Sequence, residues 1–163
     1  VDISKSMIEE AKKNVKSEIF EADITTDKNK INKKFNLITA FRFFPNAENN
    51  LREESLRSLL NYLENDGYLV FNNHRNINSI ISILRNKLFG TKLSGMGIDE
   101  VNDLLNQNNL RIIKIYSMGL FPDSYNNKYI PSFILFIIEN IFHKIYRSKN
   151  SGYNQIFVCQ KLS

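Results

Sequence analysis

Hydrophobic positions change their period repeatedly along this chain. Met7, Ile8, Ala11 and Val15 recur at helical spacing and predict a helix over about 5–16. Ser4 or Ser6 can cap it, and Ser6-x-x-Glu9 fits a capping box. Glu18 to Ala22 reads as a short strand ending at Asp23. Phe35 to Phe41 is almost continuously apolar, the pattern of a strand buried on both faces. Leu51, Leu56, Leu59, Leu60 and Leu63 predict a helix over about 50–64, and Asn65-Asp66-Gly67 then supplies a turn into a strand over Tyr68 to Asn72. Ile77, Ile80, Ile81, Leu84 and Leu88 mark another helix that Gly90 ends, and Ile98, Val101, Leu104 and Leu105 mark a shorter one. Leu110 to Ser117 and Tyr153 to Lys161 read as strands. Between them Pro131 opens a helix to about Arg147.

Strand and helix alternate through the first two thirds, and two strands finish the chain. This is the order of a Rossmann-like, doubly wound α/β fold with a mostly parallel sheet, carrying a helical insertion before its last strand. Ligands in such sheets bind beyond the carboxyl ends of the strands. The polar residues to weigh are therefore Asp2 with Ser4, Asp23, Arg42 with Asn46, and Asn72 to Asn76. An acid such as Asp2 at a strand end can accept from ribose hydroxyls, or simply cap the helix that follows. Asp23 can accept from an exocyclic amine, or bond its own turn.

Composition narrows the classes. The chain has 163 residues, 42% of them hydrophobic, which suits one domain with a modest core. Its net charge is +5, but 23 Asn, 21 Ile and 15 Lys are the bias expected of AT-rich coding sequence. The basic residues are scattered, the densest run being Lys28 to Lys34, so no nucleic-acid partner is expected. One cysteine, Cys159, in an apolar strand pattern excludes an intrachain disulfide and a cysteine metal cluster, and reads as a buried inert thiol. His74 and His143 are too distant in sequence for a local metal motif. No stretch reaches the ~18 apolar residues of a membrane span, so a cytoplasmic location is the default expectation.

Four segments in order carry a family resemblance. Val1-Asp2-Ile3-Ser4-x-x-Met7-Ile8-x-x-Ala11 resembles the second-strand segment of class I S-adenosylmethionine-dependent methyltransferases. Glu21-Ala22-Asp23-Ile24 resembles their adenine-contacting motif, and Phe35 to Phe44 their fourth strand. Leu59 to Phe71 resembles their helix, turn and fifth strand. The resemblance covers about 1–75, the cofactor-binding part. Residues 76–163 agree in layout only and supply the last strands and the substrate-side insertion.

The resemblance implies S-adenosylmethionine as cofactor and roles for particular positions. Asp2 would hold the ribose hydroxyls, with Ile3 and Met7 against the adenine. Asp23 would bond the adenine amine beside Ile24. Ala40, Phe41 and Arg42 would lie along the methionine portion. Beside that resemblance, Phe43, Asn46 and Asn73 are the candidates to contact the methyl acceptor, with Asn76 another, or else the asparagines are incidental in a chain so rich in them. His74 follows the fifth strand and is the candidate general base for a hydroxyl acceptor, or else a loop or substrate contact. No metal is implied.

Departures from the family pattern also stand. Asn36 replaces the usual Asp, and Asn65-Asp66-Gly67 replaces the commoner Pro-Gly-Gly. The family's first strand and glycine-rich turn would precede Val1, so the chain reads as a partial domain, incomplete at its N-terminus and expected to bind cofactor poorly alone. Gly95-x-Gly97 follows no buried strand and reads as a mobile loop. The [N/D]-P-P-[Y/F] motif is absent, which argues against methylation of DNA base amines or of protein glutamine. The expected reaction is methyl transfer to a small-molecule, glycan or lipid-linked acceptor, at oxygen first, with nitrogen or carbon as the alternatives. The alternatives are a catalytically silent methyltransferase-like partner subunit and another nucleotide-binding Rossmann-like protein. The helix over 131–147 has an apolar stripe containing Phe133, Ile134, Ile137 and Ile141. It reads as packed on the sheet, as a lid, or as a peripheral membrane contact. Tyr116 to Tyr129 leads into it and could line the same pocket.

Overall fold

Phe44, Phe71 and Phe157 follow one another through the core with centroids 5.1 Å apart at each step, Phe44 edge-on to Phe71 and Phe71 stacked on Phe157. The structure is a computed structural model that describes residues 1–27, 30–90, 95–119, 131–145 and 152–162. Its sheet contains β1 (Phe35–Ala40), β2 (Leu63–Asn73), β3 (Leu110–Met118) and β4 (Asn154–Lys161), in the order β1-β2-β4-β3. β1 and β2 pair in parallel, while β4 lies antiparallel to both β2 and β3. Thus β1, β2 and β3 run the same way, and their carboxyl ends share one edge of the sheet, where β4 begins. Ala40 beside Phe71, Asn73 opposite Gln155 and Met118 opposite Asn154 mark that edge.

The helices are α1 (Lys5–Asn14), α2 (Asn49–Tyr62), α3 (Ile80–Phe89), α4 (Ile98–Asn106) and α5 (Ser132–Ile145), with a single 3-10 turn over Phe44–Asn46. α4 buries Val101, Leu104 and Leu105, the positions its period predicts. α2 contributes Leu56 to the same core, with Leu59 and Leu60 packed against it. Each such side chain withdrawn from water contributes about 1.5–3 kcal/mol before entropy is counted. Gly90 ends α3 in the left-handed conformation at φ 62°, which a residue without Cβ adopts freely.

Several expectations are corrected. β1 is not buried on both faces: among the described residues it pairs with β2 alone, and Leu37 is exposed. The strand expected over Glu18 to Ala22 is a single parallel bridge between Asp2 and Glu21, flanked by Asp2 N–H to Phe20 O at 3.2 Å and Ala22 N–H to Asp2 O at 3.1 Å. Among the described residues no ladder joins this pair to β1. Ser4 rather than Ser6 caps α1, so the Ser6/Glu9 capping box is not formed. Only Ile8 of the stripe on α1 is buried, and Met7 and Val15 face solvent.

The turn at Asn65-Asp66-Gly67 lies inside β2, as an irregularity. β2 advances from Leu63 to Tyr68 while β1 advances from Phe35 to Leu37. Asp66 takes φ 59°, and a Cβ on Gly67 would meet the Glu64 carbonyl oxygen at 2.9 Å.

Two apolar stripes do not reach the core. α5 buries Leu135, from the face opposite its predicted stripe, and exposes Phe133, Ile137 and Ile141. In α3, Ile83, Leu84, Leu88 and Phe89 are exposed. Of the segment from Tyr116 to Tyr129, residues 120–129 lie outside the described residues.

The segment Gly95-Met96-Gly97 is not a free loop. Met96 is fully buried in the core, and Asn73 Nδ2 donates to its carbonyl at 2.8 Å. A Cβ on Gly95 would lie 2.1 Å from the Arg75 carbonyl oxygen, and one on Gly97 would lie 2.8 Å from Asn78 Oδ1. At Gly95 backbone passes against backbone, and at Gly97 the side chains of Asn78 and Ile77 leave no room for a Cβ.

Candidate active site

Two groups of predicted residues are assembled by two different devices. The first is the Asp2–Glu21 bridge. It sets Asp2 and Asp23 at the carboxyl ends of a parallel pair, two residues apart across the register. The Asp2 carboxylate accepts from Ser4 N–H at 2.8 Å, which fixes the turn into α1. Ile3 and Met7, on either side of that turn, hold large apolar side chains in solvent. Asp23 uses one oxygen, Oδ1, for the Thr25 hydroxyl at 2.6 Å and the Thr25 amide at 2.8 Å. These two donors favour the ionised form and hold the Asp23 carboxyl below its ordinary value. Asp23 therefore does make the turn that its position allowed, and the same bonds keep it anionic. Asp27 is likewise held below the ordinary range by the Lys30 ammonium at 3.0 Å and by the Asp23 amide. Ile24 lines a cleft of about 410 Å³ with Ile31, Ser58 and Tyr62.

The second group sits where β1 and β2 end. Arg42 follows β1 in the left-handed region at φ 59°, a conformation that costs a side-chain-bearing residue about 1–2 kcal/mol. Two asparagine side chains hold it there. Arg42 N–H donates to Asn72 Oδ1 at 2.5 Å, and Asn46 Nδ2 donates to Arg42 O at 2.7 Å. Phe41 and Arg42 consequently present exposed side chains at the sheet edge, while Ala40 packs against the core. Backbone strain of this kind is maintained where surrounding contacts over-determine it.

The loop after β2 is built from within. Asn73 is fully buried, and both ends of its amide serve the loop: Nδ2 to Met96 O, and Oδ1 accepting from Arg75 N–H at 3.4 Å. Asn76 is also fully buried and donates from Nδ2 to Gly152 O at 2.9 Å, with its backbone N–H on Tyr153 O at 3.0 Å. His74 is half-buried between them.

The placements alter the expected roles of three residues. Asn73 is a buried strut, because its amide is closed off from solvent. Asn46 contacts the Arg42 backbone. Phe43 is half-buried, its ring edge-on to Phe44 at 5.4 Å. Asn72 opens the run of polar residues weighed after β2, but the sequence gives it no role of its own. In a chain with 23 Asn, only its place at the end of a strand singles it out. Arg52 was also missed: nearly buried, it donates to Phe44 O at 2.7 Å and pairs with Glu100, tying the turn after β1 to α2 and α4.

No protein-family model matches the sequence, and no curated protein matches it. Solved structures do match its fold. A SAM-dependent methyltransferase from Archaeoglobus fulgidus aligns with a TM-score of 0.63 and 14% identity, over 98% of this chain and 73% of its own. The StiE O-MT segment aligns with a TM-score of 0.59 and 18% identity, over 99% of this chain and 58% of its own. The N-methyltransferase NodS from Bradyrhizobium japonicum WM9, in complex with S-adenosyl-L-homocysteine, aligns with a TM-score of 0.56 and 12% identity, over 99% of this chain and 65% of its own. The fold is thus that of the class I methyltransferases, and the chain spans roughly three fifths to three quarters of these neighbours.

Proposed function

We propose that this chain binds S-adenosylmethionine at the carboxyl edge of its sheet and serves methyl transfer to the oxygen of a small-molecule, glycan or lipid-linked acceptor. The observation that carries this reading is the pair of carboxylates, Asp2 and Asp23, at the ends of two segments joined by a parallel bridge within a methyltransferase fold. The residues present fit the cofactor. Two acidic acceptors suit ribose hydroxyls and an exocyclic amine, and the exposed Ile3 and Met7 flank Asp2 with apolar surface for a base. When bound, S-adenosylmethionine supplies an electrophilic methyl group on a sulfonium.

The chain's own residues have positioning work to do. Asp2 accepts from the ribose, Asp23 from the adenine amine beside Ile24, and Ala40, Phe41 and Arg42 line the methionine portion. In-line transfer draws most of its acceleration from such placement. His74 takes the proton of an acceptor hydroxyl at its imidazole, the work of a general base.

Calorimetric titration of the full protein with S-adenosylhomocysteine, and separately with NAD, tests the assignment. The expected result is binding of S-adenosylhomocysteine alone. Asp2→Ala should weaken it about 10-fold or more, the scale of a lost hydrogen bond to a charged group. His74→Ala should leave that affinity intact and lower kcat by about 10²–10⁴-fold. Binding of NAD alone, or of neither ligand, overturns the proposal, and an unchanged affinity in Asp2→Ala overturns the residue assignment.

A further inference from the structure

We propose that α3 and α5 form a docking surface that seats the carboxyl edge of the sheet on an anionic lipid bilayer. α3 is rooted at that edge, and the excursion that contains α5 leaves and rejoins the described chain there. Ser79, which caps α3, lies three residues beyond Asn76. Asn76 is bonded through its amide and its backbone to Gly152 and Tyr153. Tyr153 N–H in turn donates to Gly119 O at 2.7 Å, closing the neck of the excursion that contains α5. The loop bearing His74, the start of α3 and the two ends of the excursion that contains α5 therefore meet at one joint.

What the helices show to solvent is apolar and cationic. Leu88 and Phe89 at the end of α3 are 73% and 71% exposed. Phe133 and Phe136 of α5 are 65% and 67% exposed. Globular surfaces seldom display large apolar side chains at this density without a partner. The exposed charged side chains of the two helices are Arg85, Lys87 and Lys144, all positive, and the only acid in either helix, Glu139, is half-buried. Cations interleaved with aromatic and aliphatic side chains match an anionic headgroup layer over acyl chains.

Length decides how such helices would lie. Ten and fourteen residues make helices of about 15 and 21 Å, short of the ~30 Å hydrocarbon core. No helix among the described residues is long and apolar enough to cross a membrane. They would lie in the interface plane, with the carboxyl edge of the sheet turned toward the lipid.

The docking claim stands apart from the methyltransferase reading, and its test keeps the two separate. The full protein is floated with phosphatidylcholine vesicles and with vesicles containing 30 mol% phosphatidylglycerol, while S-adenosylhomocysteine affinity is measured on the same samples. The expected result is binding to the anionic vesicles, weakened at 0.5 M salt. Arg85→Glu/Lys87→Glu should reduce it about 10-fold or more, and Phe133→Ser/Phe136→Ser should abolish it. All four positions are exposed, so far-ultraviolet circular dichroism and S-adenosylhomocysteine affinity should be unchanged in both variants. Absence of vesicle binding by the wild-type protein overturns the docking surface, whatever the cofactor result. So does a dimer in light scattering that the Phe133→Ser/Phe136→Ser variant disrupts while vesicle binding persists, because that assigns the apolar face to a second copy. Vesicle binding without S-adenosylhomocysteine binding upholds this surface and sinks the functional reading.

Discussion

Gly95→Ala is the sharpest probe of how the core reaches the candidate site. The added Cβ would sit 2.1 Å from the Arg75 carbonyl oxygen and 2.9 Å from Arg75 Cβ. The first separation is about 1.3 Å short of ordinary contact. Neither neighbour offers an easy escape, because one is backbone and Met96, the next residue, is anchored in the core. Overpacking of this kind costs about 3 kcal/mol. At the size of this chain that corresponds to a fall in Tm of about 6–12 °C. Gly90→Ala is the control. It meets nothing within 4 Å and is penalised only by its left-handed φ of 62°, about 1 kcal/mol or about 2–4 °C. Thermal unfolding of the two variants side by side by calorimetry gives the comparison. If Gly95→Ala melts no lower than Gly90→Ala, the close passage of 95–97 against the loop of Arg75 is wrong. The displacement also falls on the residue after His74, and a 1 Å misplacement costs up to about 10²-fold in rate. Turnover by Gly95→Ala should therefore drop even at temperatures where it is fully folded.

Two further outcomes follow from burial. Met96→Ala should cost about 2–5 kcal/mol, read as a lower denaturant midpoint with an unchanged m-value. A loss under 1 kcal/mol would contradict its fully buried position. Cys159 should resist thiol reagents in the native protein at pH 8, since burial pushes its pKa up to about 12. In the unfolded chain the thiol ionises near its ordinary 9.0. Its contribution to stability is thus complete below that pH and is lost as pH rises from there toward 12. Cys159→Val should lack this alkaline decline, and an identical decline in the variant would count against the buried placement.

The elements were legible wherever the period of the hydrophobic positions coincided with burial. In α4 the positions Val101, Leu104 and Leu105 all reach the core, and in β4 Phe157 and Cys159 do the same. Where the expectation failed, it failed for a common reason. Periodicity reports that a helix or strand has an apolar side, and says nothing of what covers it. The Leu84 and Leu88 stripe of α3 and the Phe133 and Ile137 stripe of α5 are as regular as that of α4, yet they face solvent. β1 reads as a doubly buried strand and lies at an edge, because covering a strand needs partners that its own sequence does not encode. The placement of the acids was legible, since Asp2 and Asp23 do lie at the carboxyl ends of a parallel pair. The struts of the site were not. Asn72, Asn73 and Asn76 are identical in kind to twenty other asparagines, and only the fold distinguishes the buried ones.

Those asparagines explain how a strained edge is held without metal or disulfide among the described residues. Each strand end is tied to the next by a side-chain amide acting on backbone. Asn46 and Asn72 grip Arg42, Asn73 grips Met96, and Asn76 grips Gly152. An amide both donates and accepts, so one residue can secure two backbone groups that a turn leaves unpaired. Hydroxyls reach less far, and a carboxylate cannot donate. The ties join four separate loops into one frame beneath Phe41, Arg42 and His74. The same frame roots α3 and ties together the two ends of the excursion that contains α5. Anything that tilts those helices, a lipid surface included, therefore acts on the loop that carries His74 through Asn76, and the two asparagine-bonded carbonyls at Met96 and Gly152 are the points where that coupling would be cut.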